Sequence, residues 1–230
     1  MKTVIIIPAR YSSVRFPGKP LVKLSVGRGL QKSLIQLSWE AACKVRNVEH
    51  IVVATDDERI RTEAESFGAK VVMTSKNCRN GTERCAEALK NINFNGDLIV
   101  NLQGDAPLTP EWFIEDLIET FKKDPDTQMA TPVLRLDKDS LNSFRLDRNS
   151  GRVGGTTVVF DNNNNALYFS KEIIPFFDEK RLMQTEACPV FHHVGVYAYR
   201  PDILFKYHTW KESNLESLEG LEQLRFLENR

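Results

Sequence analysis

Arg10, Arg15 and Lys19 lie within the ten-residue stretch that follows the first apolar run of the chain. The whole segment reads Pro8-Ala9-Arg10-Tyr11-Ser12-Ser13-Val14-Arg15-Phe16-Pro17-Gly18-Lys19-Pro20-Leu21, so hydroxyls and a glycine sit between the cations. A polyphosphate is held by several fixed cations together with backbone donors, and a loop leaving a strand supplies both. A solvated basic loop accounts for the composition equally well. The segment matches neither common phosphate fingerprint. A P-loop needs a glycine five residues before its Gly-Lys pair and Ser or Thr after it, where this chain has Ser13 and Pro20. Gly27-Arg28-Gly29 reads as a turn, because Lys32 stands where a dinucleotide loop has its third glycine.

A carboxylate ends a later apolar run, Val100-Asn101-Leu102-Gln103-Gly104-Asp105. An aspartate at a strand end, facing a cationic loop, is placed to hold Mg²⁺ against phosphate oxygens. The alternative is that Asp105 caps the turn marked by Pro107 and Pro110; with the cationic loop one crossover away, metal binding is the stronger reading. Asn80-Gly81-Thr82-Glu83-Arg84 opens a helix whose first N–H groups, with Thr82, can read the polar edge of a base or sugar. The same residues also make an ordinary cap, with Asn80 as N-cap and Glu83 at the third helical position.

These residues need a frame. Thr3–Ala9, His50–Asp56, Ala69–Thr74 and Asp97–Gly104 are continuous apolar runs, the pattern of parallel strands buried on both faces. Between them, Gln31–Val45, Asp57–Phe67 and Gly81–Asn91 read as helices, the second stopped by Gly68. Such alternation predicts right-handed crossovers and an α/β, mostly parallel, Rossmann-like sheet with ligands beyond the carboxyl ends of its strands. Another helix is predicted from Pro110 to about Lys123, with Thr109 as N-cap. The second half is β-rich: Met129–Leu136, Gly155–Asp161, Ala166–Ser170 and Val194–Arg200, with Asn162–Asn165 as a hairpin turn. On the last of these strands Val194, Val196 and Ala198 share one face, and His193, Tyr197 and Tyr199 the other. Leucines near helical spacing make Leu215–Arg230 a terminal helix. The expected organisation is one domain over residues 1–230: a nucleotide-binding half (1–125), a β-rich part (126–215) and the C-terminal helix (216–230).

The 230 residues carry 31 Lys plus Arg against 31 Asp plus Glu, which excludes a protein that grips nucleic acid by bulk charge. No apolar run approaches the roughly 20 residues of a membrane span, and no signal-peptide pattern opens the chain, so a cytoplasmic location is expected. Cys43, Cys78, Cys85 and Cys188 show no C-x-x-C spacing and read as reduced thiols rather than a disulfide or zinc framework.

Taken together, PARYSSVRFPGKPL, GTER, NLQGDAP, ALYFSK, HVGVYAYR and LEQLRFLEN, in this order along nearly the whole chain, resemble the CMP-KDO synthetase (3-deoxy-manno-octulosonate cytidylyltransferase) family. The resemblance implies a nucleotidyltransferase fold whose β-rich part serves sugar binding and dimerisation. It implies transfer of CMP from CTP, with Mg²⁺, to a 2-keto-3-deoxy sugar acid such as KDO for bacterial lipopolysaccharide or capsule, and a homodimer with no nucleic-acid or membrane partner. Arg10, Lys19 and Asp105 would be catalytic, with Asp105 on the metal. Nucleotide binding would add Pro8, Ala9, Ser13 and Arg15 from the first loop, and Gly81, Thr82, Arg84 and Gln103. Lys171, His193, Tyr197, Glu222 and Gln223 would bind the sugar. On their types alone, the His and Tyr read as structural groups and the Glu-Gln pair as a solvated helix face.

Several positions depart from the family pattern. Ala106 replaces a Glu after QGD, Asn80 a Ser before GTER, and Cys78 a His two residues earlier. Lys171 stands where the family has Arg, which keeps the charge but loses bidentate carboxylate recognition. The loop Ser25–Gly29 is longer than usual, and the family continues beyond the position of Arg230 into a strand with a second metal-binding Asp. Two alternatives follow: a nucleotidyltransferase for another sugar or base, and a non-catalytic binder of nucleotide or sugar acid.

Overall fold

The computed structural model describes residues 1–12, 16–27, 29–178 and 187–229. The chain forms two compact units, one from Met1–Ala130 and Gly195–Thr209, the other from Thr131–Val194 and Trp210–Arg230.

The first unit begins with β1 (Thr3–Ala9), a run of apolar residues buried at every position. It continues through the hairpin β2 (Lys23–Ser25) and β3 (Gln31–Ser33), α1 (Leu34–Ala42), β4 (His50–Thr55), α2 (Glu58–Ser66), β5 (Lys70–Met73), α3 (Gly81–Asn91), β6 (Leu98–Leu102), α4 (Glu111–Lys123) and β7 (Met129–Ala130). After the second unit's first segment it resumes with β12 (Val196–Tyr199) and α6 (Pro201–Thr209). Its sheet has the order β5-β4-β1-β6-β12-β7. β1, β4, β5 and β6 are mutually parallel where they pair, and β12 is antiparallel to both β6 and β7. The expected mostly parallel α/β sheet is therefore present, and its strands are apolar throughout because helices cover both faces of such a sheet.

The second unit holds β8 (Val133–Arg135), α5 (Lys138–Asn149), β9 (Thr156–Phe160), β10 (Ala166–Ser170), β11 (Phe191–His193), α7 (Asn214–Glu219) and α8 (Leu224–Glu228). Its sheet is antiparallel in the order β10-β9-β11-β8. The asparagine run is the β9–β10 turn: Asp161 Oδ1 accepts from the N–H groups of Asn163 and Asn165, and Asn164 takes φ 64°. Val158, Phe169 and Leu224 form its buried centre, with Leu221 and Leu227 packed against them.

The elements depart from expectation where the backbone must bend. Gln31–Ser33 is a strand, not the start of a helix, because Gly27 (φ 90°) and Gly29 (φ 73°) turn the chain back on β2. Helix α1 starts only after Ser33, whose side chain accepts from Gln36 N. Pro110, not Thr109, is the N-cap of α4. Met129–Leu136 breaks at Thr131-Pro132, and β7 and β8 join different sheets. Val194–Arg200 is strand only over Val196–Tyr199, so His193 ends β11 while Tyr197 lies on β12. The expected terminal helix is cut in two by Gly220, which takes φ 60° as the left-handed stop of α7.

Candidate functional site

Strand order reverses between β1 and β6. From β1 the chain steps outward to β4 and β5, then returns through α3 to β6 on the other side of β1. In open α/β sheets this switch point leaves a crevice at the carboxyl ends, where ligands bind. Part of the predicted set of the first unit meets there: Pro8, Ala9, Gly81 and Gln103, with Lys19 and Asp105. A Cβ on Gly81 would lie 3.1 Å from Gln103 Nε2 and 3.4 Å from Pro8 Cγ. A Cβ on Gly104 would lie 3.0 Å from Pro8 O and 3.3 Å from Ala9 Cβ. Glycine at these two positions lets the end of β1, the end of β6 and the start of α3 close on one another.

Lys19 and Asp105, far apart in sequence, are joined here as Lys19 Nζ donates to Asp105 Oδ2. Both side chains stay roughly half exposed, 45% and 41%, so the pair faces solvent at the crevice. The turn beyond Asp105 is closed by backbone bonds, Ala106 N to Gln103 O at 3.1 Å and Thr109 N to Ala106 O at 3.2 Å. Gln103 Nε2 donates to Asn101 Oδ1 at 3.2 Å. Arg10, exposed, donates to Arg79 O at 3.3 Å and so ties the first loop to the segment before α3. Ser13 and Arg15 lie outside the described residues.

The start of α3 is held from within. Asn80 caps it by accepting from Glu83 N at 2.9 Å. Glu83 reaches back one residue further than a capping box does, to Arg79 N at 2.9 Å. Thr82 is fully buried with its hydroxyl 3.0 Å from Tyr199 OH. Arg84 is 2% exposed; it donates to Thr74 Oγ1 at 2.6 Å and lies 3.3 Å from Asp56 Oδ1. The side chains of Thr82 and Arg84 thus fix the helix to its neighbours, and Gly81 alone of the three approaches the crevice. Cys78, in place of the expected His, is buried with Sγ 3.2 Å from Glu87 Oε2. Burial and that carboxylate push its thiol up to about 12, which removes it from nucleophilic chemistry at neutral pH.

Within the second unit, Lys171 N, Ser170 Oγ and Tyr168 OH all donate to the Glu219 carboxylate, at 2.9, 2.7 and 3.2 Å. Burial raises that carboxyl's pKa, but these donors outweigh it and hold the group below the usual range. A Cβ on Gly220 would lie 2.9 Å from Lys171 Nζ, so Lys171 meets the turn that leads to half-buried Glu222 and buried Gln223. His193 is 6% exposed, with its ring edge-on to Phe169 at 5.0 Å. Tyr197 belongs to the first unit, is buried, and stacks on Tyr199 at 6.0 Å; the shared face expected for His193 and Tyr197 does not exist. The sequence reading missed Glu219, whose three donors come from the ALYFSK segment itself.

Burial, and secondarily His192, pushes His193 down to about 3. Between that value and the usual imidazole range the unfolded chain binds the proton and the folded chain does not. Stability therefore falls as pH drops through this window and is flat above it. His193→Gln should flatten the acid limb of a melting-temperature profile between about pH 6.5 and pH 4, taking the ordinary His value as the upper bound; an unchanged slope would remove His193 as its cause.

Among the described residues no group of three or more His, Cys, Asp or Glu gathers around a common point. Asp105 is a single half-exposed carboxylate, which suits Mg²⁺ bound through one or two carboxylates plus substrate phosphates. No helix among them is long and apolar enough to cross a membrane.

A family model described as Cytidylyltransferase matches residues 4–230. The 3-deoxy-manno-octulosonate cytidylyltransferase of Maricaulis maris (strain MCS10) is 43% identical over 229 residues, covering 100% of this chain and 85% of that protein. The 8-amino-3,8-dideoxy-manno-octulosonate cytidylyltransferase of Shewanella sp. (strain W3-18-1) is 42% identical over 231 residues, covering 100% and 87%. Among solved structures, CMP:2-keto-3-deoxy-manno-octonic acid synthetase complexed with CTP superposes with a TM-score of 0.82 at 35% identity, covering 100% of this chain and 86% of that one.

Proposed function

The chain belongs to the cytidylyltransferase family, and from that premise we propose that it transfers CMP from CTP to the anomeric hydroxyl of a 2-keto-3-deoxy sugar acid, KDO or a close variant, and releases pyrophosphate. The observation that carries this reading is the meeting of Lys19 with Asp105 beside Gly81 and Gln103, at the point where the strand order reverses.

The acceptor hydroxyl oxygen attacks the α-phosphorus and gives up its proton to solvent, the bond from the α-phosphorus to the oxygen of the β-phosphate breaks, and pyrophosphate leaves with the electron pair. Such a reaction is accelerated by positioning and charge neutralisation, not by a covalent intermediate. Arg10 and Lys19 bind the triphosphate, with Ser13 and Arg15 completing the loop. They offset the charge that develops on the leaving group. Pro8, Ala9, Gly81 and Gln103 shape the base and ribose side of the crevice, where α3 presents its first N–H groups, while Thr82 and Arg84 keep that helix in place. Asp105 would hold Mg²⁺, which when bound would neutralise charge on the phosphate oxygens. In the second unit Lys171 supplies a cation for the acceptor's carboxylate. Glu222 and Gln223 supply hydrogen bonds to its hydroxyls, and neutral His193 acts as a hydrogen-bonding group rather than a charge. Tyr197 is assigned to the acceptor on the family resemblance.

The product is an activated sugar for lipopolysaccharide or capsule, made in the cytoplasm. A homodimer is part of the same reading, supported by the exposed Leu167 and Phe176 of the β-rich unit. The near-equal similarity to an enzyme named for the 8-amino sugar supports a second acceptor, 8-amino-3,8-dideoxy-manno-octulosonate. The test is pyrophosphate release with CTP and Mg²⁺ across KDO, the 8-amino analogue and other ulosonic acids. Thermal shift with CTP, UTP, ATP and GTP runs alongside, because a nucleotide stabilises only the state that binds it. Release with KDO or its analogue and a CTP-selective shift are expected. Folded protein that releases nothing with any acid overturns the reading, and a UTP preference moves it to another nucleotide.

A further inference from the structure

The loop bearing Arg10 and Lys19 is closed on itself through Tyr11. Gly18 N donates to Tyr11 O at 2.9 Å, which brings the two ends of the segment together. Gly18 takes φ 71° and ψ 13°, a left-handed conformation. A Cβ there would lie 3.0 Å from Tyr11 Cε2 and 3.2 Å from Cζ, so the ring packs directly on the glycine. Lys19, the residue that meets Asp105, follows immediately.

The ring is held in turn from the first turn of α2. The guanidinium carbon of Arg59 lies 3.3 Å from the Tyr11 ring centroid. Arg59 is aimed by Asp57: its Nε donates to Asp57 Oδ1 at 2.9 Å and its Nη2 to Oδ2 at 2.7 Å. Asp57 is itself fixed as the N-cap of α2, accepting from Arg59 N at 3.0 Å, and its own N–H donates to Thr55 Oγ1 at 3.3 Å. A line of contacts therefore runs from the carboxyl end of β4, through Asp57 and Arg59, to Tyr11, Gly18 and Lys19.

Core packing does not account for this arrangement, since the Arg59 side chain is 59% exposed. Ordering a long exposed side chain costs rotamer entropy and gains little buried area. A cation–π contact with a doubly hydrogen-bonded guanidinium offsets that cost. What the contact fixes is a loop that must present cations at set positions. We infer that Tyr11 and Arg59 are positioning residues for the triphosphate: they hold together the two ends of the first loop, at Tyr11 and Gly18, and so place Arg10 and Lys19, without touching the nucleotide themselves. This rests on the reading of the loop as the phosphate-binding segment.

The test uses the full chain in three single variants, Tyr11→Leu, Arg59→Gln and Tyr11→Phe, with the double variant of the first two. Two measurements are made: amide hydrogen exchange over residues 10–21 without nucleotide, and KM for CTP with kcat at saturating acceptor. Tyr11→Leu and Arg59→Gln should each speed exchange of Gly18 N–H and raise the CTP KM by about fivefold, the upper scale of a lost cation–π contact at an exposed site. Tyr11→Phe keeps the ring and should stay within about twofold of the unsubstituted protein, and the double variant should be no worse than either single one, as expected for residues acting as one unit. Melting temperatures should move by only about 2 °C, as for other exposed substitutions. Unchanged loop exchange, or an unchanged CTP KM, in Tyr11→Leu overturns the inference. If the unsubstituted protein releases no pyrophosphate, the functional reading fails by itself, and exchange still decides whether the ring and Arg59 hold the loop.

Discussion

Asp105→Asn should lower kcat/KM for CTP by about 10²–10³-fold, the loss expected when one preorganised charge-stabilising group is removed from a transition state. The melting temperature should stay nearly unchanged. Asparagine is isosteric with aspartate and keeps an oxygen to accept from Lys19 Nζ, so the loop contact survives in form. The ion pair that is lost joins two half-exposed side chains. Pairs of that kind contribute about 0–1 kcal/mol, which corresponds to about 2–4 °C at most in a chain of this size. The two effects thus separate by magnitude: a large change in rate against a small one in stability. Mg²⁺ titration adds a second reading, because a weakened metal site requires more Mg²⁺ for half-maximal activity. A variant that turns over like the unsubstituted protein, at the same Mg²⁺ concentration, would take Asp105 out of the mechanism.

The parallel half of the fold is plain in the sequence because strands buried on both faces need apolar residues at every position, and β1 has them from Thr3 to Ala9. The candidate site proposed from the sequence stands out for a related reason. The residues that end such strands have little packing to satisfy, so Arg10, Lys19 and Asp105 stand out against the apolar runs before them. The breaks were harder to read. Pro132 and Gly195 divide segments that alternate convincingly as single strands, and only the sheet assignment of each piece reveals the division. Gly220 interrupts a run of leucines whose spacing is helical on both sides of it. Helix α5 shows only Leu141 as a buried position, too little for a periodic signal. The contact of Arg59 with Tyr11 joins an exposed cation to a loop in another part of the chain, and nothing local to either residue announces it. Ser213 and Glu216 are different: they have the spacing of a capping box, and Ser213 N donates to Glu216 Oε2 at 3.3 Å where α7 begins.

Glu216 has a second role that gives the largest stability effect expected in the molecule. Arg225, 1% exposed, donates from Nε to Glu216 Oε2 and from Nη2 to Oε1, both at 2.6 Å, and from Nη1 to Trp210 O at 3.4 Å. Removing one member of a buried pair leaves the other charge desolvated and unmatched, at a cost of about 3–5 kcal/mol. Glu216→Ala should therefore lower the melting temperature by roughly 10 °C or more. It should do so through the second unit, which contains both residues. The pair brackets Glu222 and Gln223 in sequence, so KM for the sugar acid should rise in Glu216→Ala, while the thermal shift given by CTP, read as a change from the variant's own baseline, should persist. Replacing both members together by apolar residues of similar volume tests the cause. Burying no charge avoids the unmatched guanidinium, and such replacements are often neutral or stabilising. Recovery of stability in the double variant, without recovery of sugar-acid affinity, would assign the pair to orienting the C-terminal turn. If both recover, the pair matters only as packing; if neither does, Glu216 acts chiefly through the cap it makes with Ser213.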